Sequence, residues 1–282
     1  PPGQLLPSAH AVDREYRVLT ALQGTGVPVP RTYALCTDES VIGTWFYVME
    51  CVEGRVFWEP ALPDVSKRER FAIYDSLCEV MAKLHAVDPV AVGLADYGKP
   101  GNYFARQISR WSKQYDASVE RPHEAMVRLA DWLPRTIPPG NDTAIIHGDF
   151  KLDNTIVHPT QPRIVAILDW EISTLGHPLG DFTYLCMPWF RLGAFRGLDL
   201  AALGLPALDE YAASYCRRTG RTSIDSFEWY EAFHLYRAAC IYQGILGRVR
   251  AGTASSDHAS SLGEGIAAQA EAAWEIAKTL GA

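Results

Sequence analysis

The spacing of apolar residues changes between Cys51 and Ser66, and one type of secondary structure does not accommodate both patterns. Residues 41–52 read as strand, because Trp45, Phe46, Tyr47, Val48 and Met49 make the segment rich in aromatic and β-branched character. Glu53-Gly54 ends that run. From Ser66 the period becomes helical: Ser66-Lys67-Arg68-Glu69 has the form of a capping box, and Phe71, Tyr74, Leu77, Cys78, Met81 and Leu84 follow on one face. The two patterns predict an α+β chain. A small β-containing lobe with its link is expected over residues 1–53 and a larger, mostly helical lobe over 54–282.

A first helix is predicted over residues 8–24, with Ser8 as N-cap and Gly24 or Gly26 as its stop. Val12, Tyr16, Leu19 and Leu22 form its apolar stripe, and Glu15 lies on the same face, three after Val12 and four before Leu19. An acid there needs a partner. Further helices are expected at 102–115, 123–133, 175–187, 208–218, 227–249 and 260–280. Between them, one region reads as strand: Ile145-Ile146, then Thr155-Ile156-Val157, the turn-rich Pro159-Thr160-Gln161-Pro162, and residues 163–168.

Composition narrows the class of protein. The 282 residues are 48% hydrophobic, which excludes a disordered chain. The 26 basic against 33 acidic residues leave a net charge of −7, which argues against nucleic acid or an anionic membrane as partner. Six cysteines without a C-x-x-C pair read as reduced core residues. With no apolar run of roughly 18 residues and no basic-then-apolar leader, the expected location is cytoplasmic.

The chemistry gathers around the hairpin. Asp149 and Asn154 precede its first strand and Asp169 follows its second, so folding the hairpin brings the three together. Hard oxygen donors of this kind, few in number, suit Mg²⁺ attached to phosphates better than zinc. The Asp-x₄-Asn spacing with a second Asp beyond the hairpin is also what a kinase catalytic loop demands. One carboxylate accepts the proton of an attacking hydroxyl, while the amide and the other carboxylate hold the metal. The base has to remain clear of the metal, so Asp149 and Asp169 are not interchangeable.

His147-Gly148-Asp149-Phe150-x₃-Asn154, Ile167-Leu168-Asp169-Trp170-Glu171 and Gly176-His177-Pro178-x₂-Asp181, together with Gly101-Asn102-Tyr103-Phe104 and Arg110-Trp111, resemble the aminoglycoside phosphotransferase and choline kinase-like enzymes. That family is a branch of the protein-kinase-like fold. The likeness covers nearly the whole chain and is strongest to the subgroup found alone in bacteria and fused to acyl-CoA dehydrogenase-like domains in animals. It implies an ATP- and Mg²⁺-dependent kinase acting on a hydroxyl of a small molecule; the charge balance already argues against a nucleic-acid or membrane partner. It further implies Asp149 as catalytic base and Asn154 and Asp169 as metal ligands. Glu15 becomes the helix glutamate that pairs with an ATP-binding lysine or arginine, and residues Glu50 to Val52 a hinge that offers backbone groups to adenine. Asp181 is implied to brace the catalytic loop and His147 to pack it. The N-terminal lobe is expected to be truncated, because the family's glycine-rich phosphate loop and its Lys- or Arg-bearing strand lie upstream of a segment like residues 1–15.

Departures and rivals bear on this expectation. Lys151 stands where many aminoglycoside kinases carry histidine, which puts transfer to that substrate class in doubt. A pseudokinase-type nucleotide-binding or regulatory module is the alternative if no phosphate loop precedes Pro1. A two-metal phosphoesterase needs more His and Asp ligands than the sequence groups together, and a serine hydrolase needs a G-x-S-x-G elbow that the sequence lacks. Turn-capping alone is the plain alternative for Asp149, Asn154 and Asp169, but it does not require two acids and an amide at kinase spacing.

Overall fold

The computed structural model describes residues 11–250, 252 and 259–282. In chain order the elements are α1 (Val12–Leu22), β1 (Thr32–Cys36), β2 (Phe46–Met49), α2 (Lys67–Ala86), α3 (Tyr103–Asp116), α4 (Glu124–Arg135), β3 (Ala144–Ile146), β4 (Thr155–Val157), β5 (Ile164–Ile167), β6 (Thr174–Gly176), α5 (Pro178–Leu185), α6 (Leu200–Leu203), α7 (Leu208–Thr219), α8 (Phe227–Arg250) and α9 (Ala259–Thr279). Among the described residues the strands make three antiparallel pairs, β1 with β2, β3 with β6 and β4 with β5. No helix among them is long and apolar enough to cross a membrane.

Two compact units make up the chain. One comprises the chain up to Gly101 with Asp142–Pro188 and Ala194–Ile224; the other comprises Asn102–Asn141, Trp189–Gly193 and Asp225–Ala282. In the first, α1 buries Val18, Leu19 and Leu22, and a hydrogen bond between the Thr20 and Thr32 hydroxyls, with one from the Gln23 amide to the Thr32 hydroxyl, ties it to β1. Ser66 caps α2 by accepting from the Glu69 N–H. The other half of the expected capping box is replaced, because the Glu69 carboxylate pairs with Arg55 at 2.6 Å. Phe182 of α5 stacks on Tyr215 of α7 with ring centroids 4.0 Å apart, at the centre of an apolar interior that also buries Ile73, Leu77, Phe150 and Ile167. The second unit is helical, and Phe104 of α3 meets Trp229, Tyr230 and Phe233 of α8 with centroids 5.2–5.4 Å apart. All four rings are buried in the core of that unit.

Arg70 is a buried charged residue of the first unit. Only 4% exposed, it donates to the carbonyls of Ala61, Leu62, Val65 and Leu203, and so fastens two loops to α2. Arg70→Met keeps the volume and removes the donors. It is expected to cost about 3 kcal/mol or more, since several buried carbonyls lose their partner at once. A urea midpoint within error of the parent protein would contradict that.

Several sequence expectations need correction. The Thr32–Cys36 strand was not anticipated, and the strand expected over 41–52 is confined to Phe46–Met49 because residues 39–44 turn. Leu175, expected in a helix, lies in β6 opposite Ile145, and the helix starts only at Pro178 behind its His177 cap. A short tertiary pairing overrides helical spacing there. Ser8 lies outside the described residues, within which α1 starts after Ala11. All six cysteines are free, yet only four are core: Cys36 is half-buried and Cys51 exposed.

Candidate active site

The hairpin β4–β5 sets the geometry. Thr155 faces Ile167 across the ladder, and the next bond outward runs from the Leu168 N–H to the Asn154 carbonyl at 2.9 Å. Asn154, which closes a single 3₁₀ turn at Leu152–Asn154, is therefore locked to the residue before Asp169. Asp169 adopts φ +65°, a left-handed conformation that Asp tolerates better than most residues. The Asn154 Nδ2 donates to both the backbone carbonyl and the Oδ2 of Asp149, each at 2.9 Å. With the amide nitrogen committed in this way, the Asn154 carbonyl oxygen is the atom left to face a cation. Among the described residues no three His, Cys, Asp or Glu side chains form a protein-only metal cage. A donor set of one carboxylate and one amide oxygen fits a hard ion that draws its other ligands from water and phosphate, as Mg²⁺ does.

The catalytic-loop segment is held from beneath. Asp181, on α5 and 1% exposed, accepts from the N–H groups of His147 at 2.6 Å and Gly148 at 2.7 Å. Burial alone would raise its carboxyl, but the nearby His85 and His147 outweigh burial and hold it below the ordinary range. His85 Nε2 stands 3.6 Å from Asp181 Oδ2, beyond hydrogen-bonding distance, and its Nδ1 meets the Tyr215 hydroxyl at 2.7 Å. Gly148 has φ +85°, and a Cβ there would come within 3.1 Å of Ile172, so glycine is needed in the turn.

His147 has no access to solvent. Its Nδ1 accepts from the Asp149 N–H at 3.2 Å, so the proton resides on Nε2, which donates to the Leu168 carbonyl at 2.8 Å. Burial pushes its pKa down against the attraction of Asp181. The ring is thus a neutral strut between the Asp149 turn and the Asp169 turn, and the Trp170 indole packs against it at 4.7 Å.

On α1, Glu15 receives a hydrogen bond from the Tyr47 hydroxyl of β2 at 3.1 Å. Burial raises the Tyr47 pKa, and the negative charges of Glu15 and then Asp169 raise it further. Arg14 next door donates to the Tyr97 carbonyl at 2.9 Å, and the Tyr97 hydroxyl meets Ser173 at 2.7 Å. These contacts fix α1 beside the segment that follows Asp169. Glu50 closes the end of the β1–β2 pair, its N–H donating to the Arg31 carbonyl at 2.7 Å. Among the described residues the Glu50 carbonyl and the Val52 N–H make no backbone hydrogen bond. Three residues on, Arg55 exchanges two backbone bonds with Val157 of β4, at 2.7 and 2.9 Å. Gly54 permits that approach, since a Cβ there would lie 2.2 Å from the Ile156 side chain.

Two contacts of the Asp149 carboxylate escaped sequence reasoning. Lys151 places its ammonium 3.5 Å from Asp149 Oδ2 and 3.1 Å from Asp153 Oδ2, adding a cation at the Asp149 carboxylate. Tyr184 of α5 donates its hydroxyl to Asp149 Oδ1 at 2.5 Å. Helical spacing alone pointed to it: Tyr184 is three residues after Asp181, on the same face.

Residues 1–215 match the sequence profile of the phosphotransferase enzyme family. The chain belongs to that family. It is 43% identical over 283 residues to acyl-CoA dehydrogenase family member 10 of Mus musculus, covering 98% of this phosphotransferase-family chain. The chain spans only 26% of that mouse protein. The likeness to the acyl-CoA dehydrogenase-fused subgroup is thereby borne out. A crystal structure from Ralstonia eutropha, described as a "putative aminoglycoside phosphotransferase", shares 53% identity and a TM-score of 0.90 over 97% of this chain and 84% of that one. An aminoglycoside phosphotransferase in ternary complex with ADP and hygromycin B matches with a TM-score of 0.59 at 15% identity, over 98% of this chain and 85% of that one, which bears on the fold alone. The fold is accordingly kinase-like, with small β-sheets towards the N-terminus and a mostly helical remainder.

Proposed function

We propose that this chain is an ATP- and Mg²⁺-dependent kinase that transfers a phosphoryl group to a hydroxyl of a small molecule. The observation that carries the proposal is the joined pair of turns: Asn154 grips the Asp149 carboxylate with its side chain and the Asp169 turn with its backbone. In this reading Asp149 orients the acceptor hydroxyl and takes its proton. Asn154 Oδ1 and Asp169 would hold Mg²⁺, which when bound neutralises charge on the triphosphate. The Glu50 carbonyl and Val52 N–H are suited to pair with an adenine edge, and Lys151 adds positive charge beside the base. Glu15 keeps its assigned place at the nucleotide side, with Tyr47 as one of its partners.

Hydroxyacyl thioesters are the first acceptors to test, because the mouse relative is named as an acyl-CoA dehydrogenase; aminoglycosides and choline-like amines are the comparison set. ADP release by the full chain with Mg·ATP and each acceptor is the measurement. Tight nucleotide binding with no ADP release on any of them would favour a nucleotide-binding module without turnover.

The metal assignment has its own check. Asp169→Asn is expected to weaken Mg²⁺-dependent ATP binding about tenfold or more, because a neutral amide replaces the one charged ligand. Calorimetric titration with and without Mg²⁺ reads this directly. An unchanged affinity, or an equal loss in the absence of metal, would remove Asp169 from the metal site.

A further inference from the structure

Both oxygens of the Asp149 carboxylate already have a neighbour. Oδ2 accepts from Asn154 at 2.9 Å and faces Lys151 at 3.5 Å, while Oδ1 accepts from the Tyr184 hydroxyl at 2.5 Å. The side chain is 23% exposed. A hydroxyl donating to this carboxylate is the arrangement that an acceptor alcohol must reach before transfer, and a phenol at this distance makes a charge-assisted hydrogen bond. Tyr184 therefore does to Asp149 what a substrate is required to do.

The helix does not depend on that bond for its position. Asp181, one turn earlier on the same face, already fastens α5 to the loop through the His147 and Gly148 amides. Phe182 and Leu185 are buried on either side of Tyr184, which is itself only half-buried. The tyrosine thus stands at the accessible edge of the base, and Asp181 lies beneath the loop.

From this geometry we infer that the Tyr184 hydroxyl is an internal stand-in for the acceptor: it occupies the acceptor's place on Asp149, keeps water from that place, and yields only to an alcohol. The inference rests on the kinase reading of the same site. It makes Tyr184 a positioning residue that suppresses a wasteful reaction. In that reaction a water oxygen attacks the γ-phosphorus of ATP, the bond from that phosphorus to the bridging oxygen breaks, and Asp149 takes a water proton, leaving ADP and inorganic phosphate.

The test is ADP release from the full chain saturated with Mg·ATP and supplied with no alcohol. Tyr184→Phe is expected to raise this rate on the order of tenfold, as suits the loss of one charge-assisted hydrogen bond that held the place against water. Adding Asp149→Asn to Tyr184→Phe is expected to abolish the gain. Nucleotide affinity, read by calorimetry, is expected to stay at the parent value. Tyr184→Met serves as a second removal of the hydroxyl.

A Tyr184→Phe rate no higher than the parent's, with turnover still dependent on Asp149, overturns the stand-in and leaves the kinase reading intact. A gain that survives Asp149→Asn overturns it as well, because the water would then be activated elsewhere. Failure of both variants to fold overturns it too, since a hydroxyl needed for folding is not one that substrate displaces. If the parent chain binds no Mg·ATP, or Asp149→Asn leaves its ADP release untouched, the kinase reading fails and takes this inference with it.

Discussion

Asp149→Asn is expected to leave Mg·ATP binding near the parent affinity and to lower phosphoryl transfer by a factor on the order of 10²–10⁴, the usual contribution of a general base. The substitution is unusually clean at this position. The amide oxygen of the new side chain can still accept from Asn154 and Lys151 on the Oδ2 side. Its NH₂ can donate to the Tyr184 oxygen on the Oδ1 side, where the hydroxyl reverses its role. Hydrogen bonds are retained while the proton acceptor is lost, so a fall in rate reports chemistry and not collapse of the loop. Single-turnover transfer at saturating nucleotide separates the two, and undiminished transfer would remove Asp149 as base.

Asp181→Asn is expected to damage both stability and rate, although it touches neither substrate nor metal in this reading. The carboxylate accepts two backbone N–H groups with its two oxygens, and an amide offers one oxygen and one donor. Either His147 or Gly148 is then left with a buried N–H facing an NH₂ group. The charge beside His85 also disappears. Loss of a buried, charge-assisted acceptor of this kind costs about 2–4 kcal/mol. The loop that loosens carries Asp149, and a displacement of order 1 Å at a reacting group costs about 10²-fold in rate. Urea unfolding by far-UV circular dichroism and transfer assays read the two effects separately. A parent-like midpoint would show that the loop holds its own shape, and a parent-like rate at a lowered midpoint would show that it does not need the brace.

The difference between these two residues shows where sequence reasoning reaches. Asp149 and Asn154 are five apart and Asp169 lies just past a hairpin, so local spacing and one turn bring them together. Asp181 was reachable through a motif, and its two amide contacts agree with a bracing part. His85 gave no signal: it follows an ordinary apolar helix face, and only the packing of α2 against α7 and α5 brings it to Tyr215 and Asp181. Tyr184 was marked only by its place three residues after Asp181. Lys151 read as a departure from a pattern, because a sequence does not show that its ammonium folds back onto Asp149 and Asp153.

The fold follows the same division. Long helices with strong periodicity, such as α2, α7 and α8, were legible to within a residue or two at their ends. The strands of three to five residues were less so. Thr32–Cys36 is too short and too exposed to carry an alternation, and Thr174–Gly176 exists only because Ala144–Ile146 lies beside it.

By itself, the sequence determined the helical periods, the hairpin, and the residue types that can take a proton or bind a hard cation, all of which depend on neighbours within a few positions. The tertiary structure decided which atoms of those residues remain available. It spent the Asn154 nitrogen on Asp149, put the His147 proton on Nε2, and set a tyrosine hydroxyl against the base. Hydrogen bonds are directional and short-ranged, so their assignment waits until distant segments have packed to within about 3 Å of one another.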